Sequence, residues 1–340
     1  MTIGLKLFNL VWATSFSGKL AIRGESQHAK CGICVRHKLI LKKLGADRKG
    51  RELQMKEYSA HLQKQYADRA CYWSARSCSR LRALPCGTPS VTMIIDGMDH
   101  SKFKYPRSPA IFSSKEMASF IRPNLDMTAS IVHGHAVILA LSEPFVPKDS
   151  NWCADLISHS LHSISSNLDL RGAEVIVQSD NTCREVKNNT CLRLLGSLTA
   201  THRVKRAELR NLVTGHSHED VDQFFSVVSS HLEQSKLLET PQDFVQALQA
   251  LLRNQAVRPN EPERKVIKVD QVRDWRSYLH VGCHNNHLAG VGGPGAPHVF
   301  AFDRAEDIPG SLDRGLVNSR FWQSLQLPPH PSDVILRTVG

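Results

Sequence analysis

The stretch Val91-Thr-Met-Ile-Ile-Asp96-Gly-Met-Asp99 decides the reading of this chain. A β-branched and apolar run passes without a break into an acid, the pattern of a buried strand whose last carboxylate reaches the solvated rim of a sheet. Working outward, Thr128 to Leu141 is a second β-rich stretch, either one long strand or a tight pair turning at Gly134. Glu174-Val-Ile-Val-Gln-Ser-Asp180 is another strand that ends on an acid. Between them Ala154, Leu156, Ile157, Leu161 and Ile164 recur at helical spacing behind a cap at Asp149 or Ser150. A helix through Cys191, Leu194, Leu195 and Leu198 follows, then a β-like stretch from Ala207 to Val213, then a helix from about His218 to Leu232 with Ser217 as its natural cap. The order of strand, strand or strand pair, helix, strand, helix, strand, helix predicts a mixed α/β layered sheet.

The flanks differ in kind from this centre. Residues 1–89 carry 17 Lys and Arg against 5 Asp and Glu, whereas the rest of the 340-residue chain carries 26 against 27. A basic arm on a near-neutral body suits a phosphate-binding module beside a catalytic one, because clustered cations gain most from counterion release off a polyanion. DNA is therefore the expected partner. Loose three- and four-residue spacing from Leu39 to Tyr66, broken at Gly45 and Gly50, predicts two helices in that arm. Thr240-Pro241 starts a helix with Phe244, Leu248 and Leu251 as its stripe, and short strand candidates lie at Val266 to Val269 and His298 to Phe302. This divides the chain into a basic helical module over 1–88, the layered domain over 89–255 and a C-terminal extension over 256–340. No run of apolar residues approaches the ~18 that a membrane span requires. The nine scattered cysteines of a chain this size favour a reducing compartment, and the reading is nuclear or cytoplasmic, although Met1 to Leu20 faintly resembles a targeting peptide.

Asp96 and Asp180 end strands, and Asp222 lies in the first turns of a helix after the last strand. Two strand-end acids on neighbouring strands project toward one rim, where a crossing helix can add a third. Like charges gathered in this way raise one another's pKa unless they hold a cation, and hard oxygen ligands suit Mg²⁺ or Mn²⁺. On the last helix Asp222 shares a face with His218, Glu219 lies to one side and Asp220 points elsewhere. Each acid taken alone is as well explained as a turn former or a helix cap.

The motifs Asp96-Gly-Met-Asp99-His-Ser-Lys102-Phe, Asp180-Asn181-Thr-Cys-Arg-Glu185-Val-Lys187-Asn188 and Gly215-His216-Ser-His218-Glu219-Asp220-Val-Asp222 together resemble a large family of transposon-derived proteins associated with DDE/D transposases and the ribonuclease-H-like fold. The resemblance covers roughly residues 90–255. It implies a ribonuclease-H-like mixed sheet flanked by helices, preceded by a small helical, zinc-binding module, and metal-dependent cleavage or strand transfer on DNA with Asp96, Asp180 and Asp222 as catalytic metal ligands. Asp99, Lys102, Asn181, Glu185, Lys187, Asn188, His216, His218 and Glu219 are the supporting candidates, Lys187 and Asn188 as phosphate contacts at a helix start. Two departures stand out: the last acid of a typical DDE site is Glu, so Glu219 competes with Asp222, and Asp99 competes with Asp96.

Cys31-Gly-Ile-Cys34 has knuckle spacing, with His28, His37, His61, Cys71 and Cys78 available to complete a zinc site, and the segment with His61, Arg69 and Tyr72 also looks like what precedes the domain in such proteins. The cluster His280, Cys283, His284 and His287 falls in a Gly-rich tail and is read as incidental. Two other function classes remain: a domesticated, non-catalytic DNA-binding protein that keeps the fold, and a hydrolase of small phosphoesters, which would leave the basic arm without a purpose.

Overall fold

The computed structural model describes residues 10–11, 13–14, 31–81, 87–107, 121–180, 185–212, 219–235, 237–281 and 298–303. Two helices, α1 (Gly32–Lys43) and α2 (Arg48–Arg80), precede β1 (Ser90–Met98), the hairpin β2 (Asp126–Val132) and β3 (Ala136–Ser142), α3 (Ser150–Ile164), β4 (Glu174–Ser179), α4 (Asn189–Ala200), β5 (Arg206–Asn211), α5 (Asp220–Gln234), α6 (Pro241–Arg253), β6 (Glu263–Lys268), α7 (Trp275–Val281) and β7 (Val299–Phe302). The strands form one sheet in the order β6-β3-β2-β1-β4-β5-β7. β2 runs antiparallel to both β1 and β3, whereas β1, β4 and β5 run parallel. This is the ribonuclease-H-like mixed sheet flanked by helices.

The expected pair at Gly134 is the β2–β3 hairpin, and the candidates near 266 and 298 are β6 and β7. These last two close the sheet's outer sides, β6 parallel to β3 and β7 antiparallel to β5. The segment after residue 255 is thus part of the sheet, and it adds α7, for which the sequence pattern gave no expectation. Asp149 caps α3, its Oδ1 accepting from the backbone N–H of Asn151 at 2.8 Å. In the arm, Gly45 makes the turn at φ +49°, while Gly50 sits inside the first turn of α2 and donates to the Asp47 side chain.

Alternation along β1 sorts the core into two layers. Val91, Met93 and Ile95 face a cluster with Trp152, Ile157, Val175, Val177 and Leu195 from α3, β4 and α4. Ile94 and Met98 face the other side, with Val221, Phe224, Val228 and Phe244 from α5 and α6. Tyr72 belongs to this second layer, so the last turns of α2 pack on the sheet as part of the body. The buried Ser79 fixes them there: its hydroxyl donates to the His133 carbonyl at 2.7 Å and accepts from the Thr92 N–H at 3.0 Å.

Around that contact lies a buried charged cluster. Tyr72 donates its hydroxyl proton to Asp220 Oδ1 at 2.7 Å, which leaves its oxygen to accept from His133 Nε2 at 2.9 Å. Asp220 Oδ2 lies 3.5 Å from Arg76 and 3.6 Å from Arg258, and Glu261 lies 3.1 Å from Arg258 and takes the Gly134 N–H at 3.2 Å. Burial drives His133 down to about 3, against the pull of Asp220, so the imidazole is neutral within the cluster.

Gly134 is required twice over. Its φ is +78°, and a Cβ there would fall 2.8 Å from Arg80 Cα and 3.1 Å from the Ser79 carbonyl oxygen. Backbone cannot yield as a side-chain tip can, and the left-handed conformation alone costs an L-residue ~1–2 kcal/mol. Gly134→Ala is expected to lower unfolding free energy by at least ~2 kcal/mol. Urea denaturation checks this, and a loss below ~0.5 kcal/mol would show that α2 does not press on the hairpin as described.

Candidate active site

The ladder between β1 and β4 sets the geometry. Their parallel register pairs Ile94 with Gln178 and Ile95 with Ser179, so the next residues, Asp96 and Asp180, sit side by side at the same rim. Adjacent strands are ~4.8 Å apart and side chains alternate between faces. Asp96 shares the parity of Ile94 and Met98, which face α5, and the start of α5 carries Asp222.

The electrostatics report this convergence. Burial, then Asp180, then Asp222 push the Asp96 carboxyl up to about 7, opposed by the Gly97 N–H and by Lys148. Asp96 Oδ1 accepts that N–H at 2.8 Å. Asp180 extends the chain past β4, where Asn211 Nδ2 donates to its carbonyl at 2.8 Å and to Ser179 Oγ at 2.7 Å. A carboxylate trio on one rim is a donor set fit for a hard divalent cation. Its spacing is looser than that of the arm's cysteines. Cys31, Cys34 and His61 are the group among the described residues whose ligand atoms all lie within 4.8 Å of one another.

The acids at the start of α5 are sorted to different partners. The helix begins at Asp220 with Glu219 as its N-cap, later than the expected start near His218. Asp222 Oδ2 accepts the Glu219 N–H at 2.9 Å, which fixes the carboxylate's position. Glu219, the competing third acid, is nearly buried and turned toward α2: Arg69 Nε donates to it at 2.7 Å and the Trp73 indole N–H at 3.0 Å. Asp220 is committed to the Tyr72 cluster.

The supporting candidates also take defined places. Asp99 accepts from the Ser101 N–H at 2.9 Å and its hydroxyl at 2.7 Å, a turn role. Lys102 forms an exposed pair with Glu233 at 3.3 Å. Asn188 caps α4, taking the Cys191 N–H at 3.1 Å while its amide donates to the Glu185 carbonyl, and Lys187 beside it is buried. Glu185 lies 3.9 Å from Lys148. Asn181, His216 and His218 lie outside the described residues, as do His28, Cys283, His284 and His287. Sequence reasoning passed over Lys148 and Trp73. Lys148 lies beside a helix cap with no motif around it; Trp73 follows Tyr72 on α2 but carries no spacing signal of its own.

In the arm, Cys31 precedes α1, Cys34 lies one turn on, and His61 comes from α2, with Cys31 Sγ 3.6 Å from His61 Nε2. Burial and then the neighbouring Cys31 raise the Cys34 thiol above its ordinary value. His37 stacks beside this group on Tyr58 and His61 at 5.3 and 6.2 Å between centroids; His37, Cys71 and Cys78 stand apart from the three-ligand cluster.

Residues 115–311 match the model of a family described as "Domain of unknown function (DUF7869)", and the chain belongs to that family. Asp180 and Asp222 fall inside the matched span and Asp96 before it. Among curated proteins no match is found. A solved structure titled "Crystal structure of the Mos1 Strand Transfer Complex" is similar at 10% identity and a TM-score of 0.33, over 76% of this chain and 83% of that one.

Since the Arg69–Glu219 contact is short and one partner is nearly buried, its coupling should exceed the ~0.2–1 kcal/mol of exposed pairs. A double-mutant cycle of Arg69→Ala and Glu219→Gln measures it. A coupling near zero would mean that α2 does not hold the start of α5.

Proposed function

We propose that this member of the DUF7869 family is a transposase-like protein of DDE/D type that cleaves or joins DNA phosphodiesters with Mg²⁺ or Mn²⁺ held by Asp96, Asp180 and Asp222. The observation that carries the reading is the elevation of Asp96 to about 7 by burial and by its two acidic neighbours. Carboxylates that repel on a rigid rim are costly to keep without a cation, and holding a cation is the role that offsets the cost. Bound there, the metal supplies Lewis-acid activation of water or a 3′-hydroxyl and neutralises charge on the phosphate. The chain's own part is to hold the acids in register, through β1 and β4, and to fix Asp222 by the Glu219 N–H. Glu219 itself is withdrawn into its contacts with Arg69 and Trp73, which favours Asp222 as the third ligand. The basic arm supplies phosphate contacts, with Arg36, Lys42, Lys43, Lys49, Lys56 and Lys64 exposed on α1 and α2.

The test separates this from a non-catalytic DNA-binding role. Mn²⁺ should raise the melting temperature of the parent and support nicking of supercoiled DNA. Asp180→Asn should lose nicking by at least ~100-fold, melt no lower than the parent without metal, and gain little from Mn²⁺. Equal stabilisation of both proteins by Mn²⁺, or unchanged nicking, would defeat the catalytic reading. DNA binding without nicking in either protein would leave the domesticated role.

Zinc is the metal that fits the arm. Bonds of ~2.3 Å to sulfur and ~2.0 Å to nitrogen place tetrahedral ligand atoms ~3.5 Å apart, close to the Cys31–His61 separation. A structural need exists as well: α1 buries none of its own residues, and over the hairpin α2 buries only Gln54 and Gln65. Two helices whose apolar contacts, among them Ile40, Leu41, Leu44 and Leu62, are only half-buried gain from a staple. Purified protein should carry about one zinc per chain, and Cys31→Ser with Cys34→Ser should abolish it and speed amide exchange in α1 while sparing the sheet. Metal-free protein with a protected α1 would remove the assignment.

A further inference from the structure

We propose that Lys148 is a further residue of the acidic site, a cation that contacts the DNA phosphate, seated in a niche that exists because residue 97 is glycine. The inference rests on the phosphodiester reading above and adds to it a residue that no motif marks.

The niche is defined by Gly97. This residue is paired in β1 opposite Thr128, and its φ lies outside the left-handed region, so the strand's conformation does not call for glycine. What calls for it is space. A Cβ at this position would lie 2.1 Å from Lys148 Nζ and 3.2 Å from Lys148 Cε. Glycine inside a strand commonly marks such a close approach. The lysine reaches the spot from the opposite layer to Asp222, since residue 97 has the parity of Val91, Met93 and Ile95. Asp149, the N-cap of α3, anchors the backbone behind it. The ammonium therefore lies at the end of β1 next to Asp96, whose carboxyl feels its charge.

Its hydrogen-bonding is incomplete. The side chain is 13% exposed, and its nearest ion partner is Glu185 Oε2 at 3.9 Å, beyond hydrogen-bond length. Among the described residues Nζ forms no hydrogen bond. An ammonium carries three donors, and one held largely among protein atoms, with its tip open at the rim, has capacity left for an anionic oxygen. A non-bridging phosphate oxygen is such a ligand, and lysine binds it as a point charge without the fixed geometry of arginine. A lysine serving only as a surface ion pair would need neither a missing side chain at residue 97 nor a position beside the acids.

The niche makes the proposal testable from two directions. Lys148→Met removes the cation. Gly97→Ala leaves it in the chain and pushes its flexible end out of the niche, with the nearest backbone atom, the Met127 carbonyl oxygen, 3.9 Å from the new methyl. With the full chain and a short end-labelled duplex, fluorescence anisotropy in Ca²⁺ and nicking in Mn²⁺ are measured for both variants and for the double variant. Both single variants should lose about tenfold or more in DNA affinity and in nicking. Each should keep its melting temperature within a few degrees and its stabilisation by Mn²⁺. The double variant should be no worse than Lys148→Met, because the methyl and the missing ammonium act on one contact. Parent-like DNA affinity in a folded Gly97→Ala, losses that multiply in the double variant, or loss of melting temperature with unchanged affinity would each overturn it. If Asp180→Asn behaves as expected and these variants do not, Lys148 alone is misassigned. If Asp180→Asn nicks like the parent, the phosphodiester reading falls first.

Discussion

The parallel ladder between β1 and β4 is the constraint on which the site depends. Two carboxylates on a flexible chain would separate; one on β1 and one directly after β4, with Ile95 opposite Ser179, are held near each other. The sheet is stiff because both its faces are packed, with Met93 and Ile95 under α3 and α4 and Ile94 and Met98 under α5 and α6. Burial first, and then the charges of Asp180 and Asp222, therefore appear as a raised Asp96 carboxyl pKa. The first turn of α5 adds a third acid where unpaired N–H groups and the helix dipole favour negative charge, so Asp222 is the least costly of the three to place.

A second ion system stands behind this one and has the opposite character. Glu219 is hydrogen-bonded by Arg69 and Trp73, and Asp220 by Tyr72 with Arg76 and Arg258 at ion-pair distance, so both charges are turned to structure. Removing one member of such a buried set exposes the others to an uncompensated charge, which makes the set a strong determinant of how α2, α5 and the β2–β3 turn meet. The division follows from helix geometry. Successive residues of a helix are ~100° apart, so neighbouring acids in one short motif cannot all face one place, and each is taken by what lies opposite. The motif Glu219-Asp220-Val-Asp222 thus does two jobs: two acids lock the helix down and the last faces the rim.

Much of this was legible in the sequence, and the limits have physical causes. The strands leading to Asp96 and Asp180 and a possible turn at Gly134 were readable because buried β-rich runs and a turn glycine are local signals, although β1 runs on to Met98 and β4 stops at Ser179 rather than ending on the acids. That Asp220 points away from Asp222 was readable from helical angles, and Asp220 is found in the Tyr72 cluster. The sequence could not reveal that Arg69 and Tyr72 act across nearly 150 residues on the start of α5, because that pairing exists only once α2 lies on the sheet. Nor could it tell Gly97 apart from an ordinary turn glycine after an acid. Its meaning lies in Lys148, which arrives from the far layer. The late strands β6 and β7 were visible as short candidates, but their places beside β3 and β5 exist only in the folded sheet.

The remaining step joins the arm to the site. α2 is one helix of 33 residues, ~50 Å long, and its two ends are in different surroundings. Its first half lies in the basic hairpin beside Cys31, Cys34 and His61, while Arg69, Tyr72, Trp73, Arg76 and Ser79 are fastened to α5 and the sheet. No turn or glycine interrupts the helix between His61 and Arg69. A metal that fixes the hairpin therefore fixes the heading of α2, and α2 holds the helix that carries Asp222. On the proposed reading, phosphates gathered by the arm and the bond presented to the acids share one rigid frame. On that reading, the buried contacts at the junction of α2 with α5, behind the site, are what tie the arm to Asp222.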